Sequence, residues 1–156
     1  MKMSQAGIDL IKEFESCELE AYPDKKTGGD PWTIGWGATG PDIYEGVVWT
    51  QQQADERLER DVEAREAIVN EAVTVDLTQG QFDAMVSIVF NVGYGSKRRN
   101  GIIRLKSGEP STLLQKLNDC DYAGAAKEFE RWISPGSPVE RGLKRRRDAE
   151  VDLFNS

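Results

Sequence analysis

Apolar positions near the start of the chain recur at helical spacing behind Ser4, a plausible N-cap. Counting about 100° per residue from Ile8, Ile11 falls at about 300° and Glu15 at about 340°. The pattern therefore predicts a helix from Ser4 to about Ser16, with Glu15 on the stripe that faces the core. Glu13, Glu18 and Glu20 carry no such constraint. From Leu19 to about Gly37 the spacing changes. LEAY, PDKKTGGDP and WTIGWG read as short extended pieces around a Gly/Pro turn, a small β-hairpin or three-stranded sheet. Helical signals then dominate. Thr50 with Gln53 forms a capping box opening a long helix to about Glu71, with Ala54, Leu58 and Val62 on its apolar side. Its charged face offers Glu56/Arg60 and Asp61/Arg65 pairs at i,i+4. Thr78 with Gln81 repeats the box before FDAMVSIVFNVG, which is apolar on most sides and so predicts a central buried helix. Ser111–Asn118, Asp121–Ile133 and Arg141–Phe154 read as three further helices.

This order, a small mixed N-terminal part followed by helices, predicts an α+β fold. A length of 156 residues suits one domain, divisible into an N-terminal lobe (1–50), a connecting helix (51–72) and a mainly helical C-terminal lobe (73–156). No apolar run approaches the length of a membrane span, so no stable membrane insertion is expected. The opening MKMSQAGIDLIKEFE places acids and polar residues where an export signal needs an apolar segment. Charge adds one asymmetry. Residues 1–96 hold 7 basic and 18 acidic side chains, whereas residues 97–156 hold 13 basic and 9 acidic. The basic half, with its clusters SKRRNGIIRLK (96–106) and KRRR, could meet an anionic polymer or form an ordinary solvated surface.

Absence of histidine narrows the chemistry most. It removes the commonest general base and metal ligand, and with them triads of serine or cysteine with histidine. Cys17 and Cys120 match no metal-binding spacing, so neither a metal nor a cofactor is expected, and a reduced, structural Cys17 is the simpler reading. Carboxylates remain. A carboxylate at the edge of an apolar face is partly desolvated and stays protonated longer, as a general acid at a glycosidic oxygen must. Glu15 fits that description, and Asp24 follows nine residues later. Hydrolysis of a glycosidic bond uses two such acids. Residue by residue, duller readings stay open: a helix-end glutamate in an acidic cluster, a Pro-Asp turn former, and in Thr33 a good strand residue.

The segment FESCELEAYPDKKTGGDPWTIGWGATG closely resembles the active-site stretch of phage-type lysozymes, the endolysins of glycoside hydrolase family 24. The shared pattern is a helix-end Glu, an Asp in a Y-x-D step, and a Thr in T-I-G-x-G, here Glu15, Tyr22-Pro23-Asp24 and Thr33-Ile34-Gly35-Trp36-Gly37. The likeness continues through Leu77–Gly93, Ser111–Asn118, the Trp132 region and Arg141–Glu150. Three departures stand out. Ser16 follows the glutamate where the family usually has glycine, Ala38 stands where a histidine commonly follows G-x-G, and the Asp-to-Thr turn exceeds the family minimum. The resemblance implies a lysozyme-like fold with a cleft between lobes. It also implies a metal-free, cofactor-free and monomeric muramidase acting on bacterial peptidoglycan, with no nucleic-acid partner. Glu15, Asp24 and Thr33 would be its catalytic residues. It implies further an arginine near Glu15, registered on Arg146 between Arg145 and Arg147. Host lysis would then depend on a separate holin that releases the enzyme from the host cytoplasm. A lytic transglycosylase or a catalytically silent wall-binding homologue are the rival readings. Trp32, Trp36, Trp49 and Trp132 could stack on sugars, Trp132 being the one expected in the core.

Overall fold

Helix α1 runs over Gln5–Phe14 and buries Gly7, Leu10 and Ile11 on one face. Ser4 stands at its N-cap position, its carbonyl accepting from the Ile8 N–H at 3.1 Å. Its hydroxyl does not cap the helix, however. The Ser4 backbone N–H donates to Asp83 Oδ1 at 2.9 Å and the hydroxyl to Asp83 Oδ2, because a buried carboxylate must be satisfied by nearby donors. The helix ends two residues earlier than its apolar period suggests. Glu15 nevertheless keeps the last helical hydrogen bond, N–H to the Ile11 carbonyl at 2.9 Å.

The computed structural model describes residues 1–156, and the fold is mixed α and β. Strands β1 (Glu18–Tyr22) and β2 (Thr33–Gly35) pair antiparallel, with Glu18 opposite Gly35 and Tyr22 opposite Thr33. An irregularity in register lies between those two pairs. The sheet is therefore the two-stranded hairpin, not the three-stranded alternative, and Val48 adds only an isolated bridge to Glu20. Helix α2 spans Gln51–Ala72, opened by the Thr50–Gln53 box in both directions (2.8 and 3.1 Å). On its charged face Arg57 pairs with Asp61 at 3.1 Å, and Glu56 accepts from Gln52 rather than from Arg60. Helices α3 (Gln79–Val92), α4 (Thr112–Asn118), α5 (Tyr122–Glu128) and α6 (Glu140–Phe154) follow, with a short 3-10 turn at Phe129–Arg131.

The chain divides into two compact units: Ile11–Glu63, and Met1–Leu10 together with Ala64–Ser156. In the second unit α3 is enclosed over the whole run Phe82–Val89, as its all-round apolar pattern predicts. Packed there are Ile102, Leu113, Leu117, Phe129 and Phe154, the last two rings meeting edge to face at 5.7 Å. The polar residues of this core come in partnered sets. Ser87 donates to Glu150 at 2.5 Å, and Arg147 lies 2.5 Å from the same carboxylate. Arg147 also donates to Asn91 (2.8 Å) and to the Trp132 carbonyl (3.2 Å). Burial pushes Glu150 above its ordinary pKa while Arg147 pulls the other way. Trp132 itself is only half-buried and lines a surface groove with Asn91 and Leu143. The first unit has its own small core of Ala21, Ile34, Ala38 and Ile43, against which Trp32, Val47 and Trp49 pack.

Candidate active site

All three residues singled out in the sequence lie within the unit Ile11–Glu63. Glu15 sits one residue beyond α1, half-buried. The Gly37 backbone lies close to its carboxylate. A methyl group at Gly37 would stand 3.0 Å from Glu15 Oε2, and Gly37 holds φ at +90°. Only glycine combines that conformation with that proximity at low cost. Gly37 is placed by a tight reversal after β2: Ile34 and Ala38 exchange backbone hydrogen bonds (3.0 and 2.8 Å), leaving Gly35, Trp36 and Gly37 to turn. Ala38 is buried in the small core beside Ile34, so this site of the expected histidine is a packing position here.

Thr33 opens β2 directly across from Tyr22, the last residue of β1. Its hydroxyl donates to the Pro31 carbonyl at a long 3.5 Å. Asp24 follows two residues after Tyr22 and anchors the connecting turn through its backbone. Its N–H donates to the Gly29 carbonyl at 2.9 Å, and its carbonyl accepts from the Gly28 N–H at 2.8 Å. Thr27 adds a second closure, donating to the Asp30 carbonyl (2.8 Å) and accepting from the Gly29 N–H (3.2 Å). The connecting turn is therefore tied by its own hydrogen bonds. The strand pair sets Thr33 opposite Tyr22, with directly opposed residues roughly 4.5–5.5 Å apart at Cα, and Asp24 follows two residues beyond that end of the ladder.

Tyr22 joins this group, although the sequence marks it only as the first letter of Y-x-D. Its phenol pKa is raised, first by burial and then by the negative charges of Glu15 and Glu18. The Glu15 carboxylate thus acts on the same strand end that carries Asp24 and Thr33. Carboxylates, a hydroxyl and a phenol are groups that can deliver a proton and order a water. Asp55 on α2 was also missed. It accepts from the Trp36 indole N–H at 2.8 Å, a contact between turn and helix with no local pattern to reveal it. Of the three arginines in KRRR, Arg146 and Arg147 are buried and Arg145 is exposed.

Comparison with known proteins identifies the family. The phage lysozyme family model matches residues 12–150. An endolysin of Bacillus phage PZA is 44% identical over the whole chain, which covers 56% of that protein; the chain spans little more than half of it. An endolysin of Acyrthosiphon pisum secondary endosymbiont phage 1 is 38% identical, over 100% of this chain and 99% of its own. Among solved structures, the muramidase domain of SpmX from Asticaccaulis excentricus superposes with a TM-score of 0.81 at 33% identity, covering 99% of this chain and 98% of that one. With the helix-end glutamate, the Y-x-D step and the T-I-G-x-G turn all in one unit, the chain belongs to the phage lysozyme family.

Proposed function

We propose that this chain is a muramidase that hydrolyses the β-1,4 bond between N-acetylmuramic acid and N-acetylglucosamine in bacterial peptidoglycan, as an endolysin in host lysis by a phage. The observation that carries the reading is the half-buried Glu15 carboxylate set against Gly37, with Asp24 and Thr33 at one end of the neighbouring strand pair. Family membership over residues 12–150 supports it. Glu15 is the general acid. It gives its proton to the glycosidic oxygen as the bond to the muramic-acid carbon breaks. Asp24 orients the attacking water, accepts its proton and stabilises the positive charge that develops on the sugar; Thr33 holds the water. Water adds from the opposite face, so the anomeric centre inverts, which calls for carboxylates roughly 6.5–9.5 Å apart. On this reading the enzyme works as a monomer without metal or cofactor, and a separate holin admits it from the host cytoplasm to the wall. No helix of the chain is long and apolar enough to cross a membrane, which suits that division of labour.

The test is clearance of a peptidoglycan suspension by the purified protein and by Glu15→Gln. The wild type should clear it and the variant should lose activity by several orders of magnitude while keeping its circular dichroism. Clearance unaffected by Glu15→Gln would sink the assignment. Mass spectrometry of the fragments separates hydrolysis from lytic transglycosylation: anhydromuramoyl ends would replace the hydrolase by the transglycosylase.

A further inference from the structure

Five side chains around Glu15 form a connected set that the reaction itself does not use. Lys12 precedes Glu15 by three residues on α1, and its ammonium lies 5.3 Å from the centre of the Trp36 ring. The Trp36 indole N–H donates to Asp55 Oδ1 at 2.8 Å. Gln51 donates to that same oxygen at 3.0 Å, and its amide also reaches Cys17 Sγ at 3.6 Å. Lys12 and Cys17 bracket Glu15 in sequence, and Trp36 adjoins Gly37, where an added methyl group would stand 3.0 Å from Glu15 Oε2. Both segments carrying the acid's surroundings are therefore tied to one carboxylate near the start of α2.

We infer that Asp55 and Trp36 are positioning residues for the general acid, clamping the Gly35–Trp36–Gly37 reversal and the end of α1 so that Gly37 stays seated against Glu15. The inference rests on the proposed role of Glu15. The reversal needs such a clamp because glycines at +63° and +90° make its backbone soft on both sides of Trp36. Ile34 and Ala38 fasten its base, and Trp36 ties its tip to α2. The clamp joins two half-buried side chains that lie outside the small core. Two donors also hold Asp55 in its charged form, its pKa lying below the ordinary carboxylate value through the Trp36 and Gln51 hydrogen bonds. A positioning role predicts a defined kinetic signature. An acid that is misplaced but still present lowers kcat and leaves KM unchanged, because only the transition state requires its alignment.

The experiment compares wild type with Asp55→Ala, Asp55→Asn and Trp36→Phe on soluble uncross-linked glycan strands. Trp36→Phe also assigns the Trp36 indole resonance in 1H–15N spectra by its disappearance. Asp55→Ala and Trp36→Phe should each lower kcat on the order of 10- to 100-fold at constant KM. Asp55→Asn keeps the acceptor oxygen and should restore most of the rate together with a near-native indole shift. Folded Asp55→Ala and Trp36→Phe proteins with wild-type kcat would overturn the inference, as would an Asp55→Asn as impaired as Asp55→Ala while its indole bond persists. Glu15→Gln serves as the separate control: if it stays active, the reading of Glu15 fails whatever the clamp variants do.

Discussion

Gly37 and Tyr22 show how narrowly the acid's surroundings are specified by single residues. At Gly37 a side chain faces two obstacles, a φ of +90° and the Glu15 carboxylate 3.0 Å from the new carbon. Gly37→Ala should cost roughly 1–2 kcal/mol of stability from the backbone alone. Its activity loss should exceed what that small destabilisation explains, as a urea midpoint measured beside wall clearance will tell. Tyr22 offers a spectroscopic view of the same carboxylate. Its raised pKa comes first from burial and then from Glu15 and Glu18. Removing the Glu15 charge by Glu15→Gln should therefore lower the Tyr22 ionisation pH without returning it to the ordinary tyrosine value. An ultraviolet titration against Tyr22→Phe isolates that signal. The sign for stability follows from linkage. With the folded pKa raised, the contribution is complete below the ordinary tyrosine pKa and disappears as pH climbs through the raised one.

Elements here begin and end where local chemistry directs, except where tertiary contacts compete. The boxes at Thr50–Gln53 and Thr78–Gln81 open α2 and α3 as the sequence spells them. At α1 the buried Asp83 captures the Ser4 hydroxyl, and a residue chosen by local rules for capping serves a distant helix instead. Helix α6 depends on a comparable long-range set, its Arg147–Glu150 pair lying fully enclosed with Ser87 on α3. Removing one partner strands the other charge without water. Glu150→Ala should destabilise by roughly 3–5 kcal/mol, whereas replacing both members with apolar residues of similar volume should recover most of the loss. Chemical denaturation of the three proteins decides whether the pair matters through its charge or through its volume.

For the whole molecule, the charge split is the property most readily tested. Lys97, Arg98 and Arg99 are all exposed on the segment that follows Gly95, whose backbone packs so closely on Arg104 that a methyl group there would stand 1.9 Å from the Arg104 carbonyl oxygen. Attraction between such a cluster and an anionic wall is screened over about 10 Å at 0.1 M salt. Clearance should slow as ionic strength rises, and Arg98→Glu with Arg99→Glu should flatten that dependence; an unchanged salt profile would make the loop an ordinary solvated surface.

The order of helices, the hairpin, both capping boxes and the enclosed α3 were legible in the residues, because each depends on spacing over a few positions. Glu15, Asp24 and Thr33 were legible as a set only through a family pattern, since a helix-end glutamate and a Pro-Asp turn are common features. What periodicity could not reach was everything set by contact across the chain. Ser4 turned to Asp83, Trp132 came to line a groove, Ala38 became core, and Asp55 took the Trp36 indole nineteen positions away. The hydrophobic and turn patterns thus determined which elements form and where the acids lie along them. Tertiary packing alone decided which donors each carboxylate meets, because a buried or bridging polar group is satisfied by whatever the fold brings within hydrogen-bonding reach.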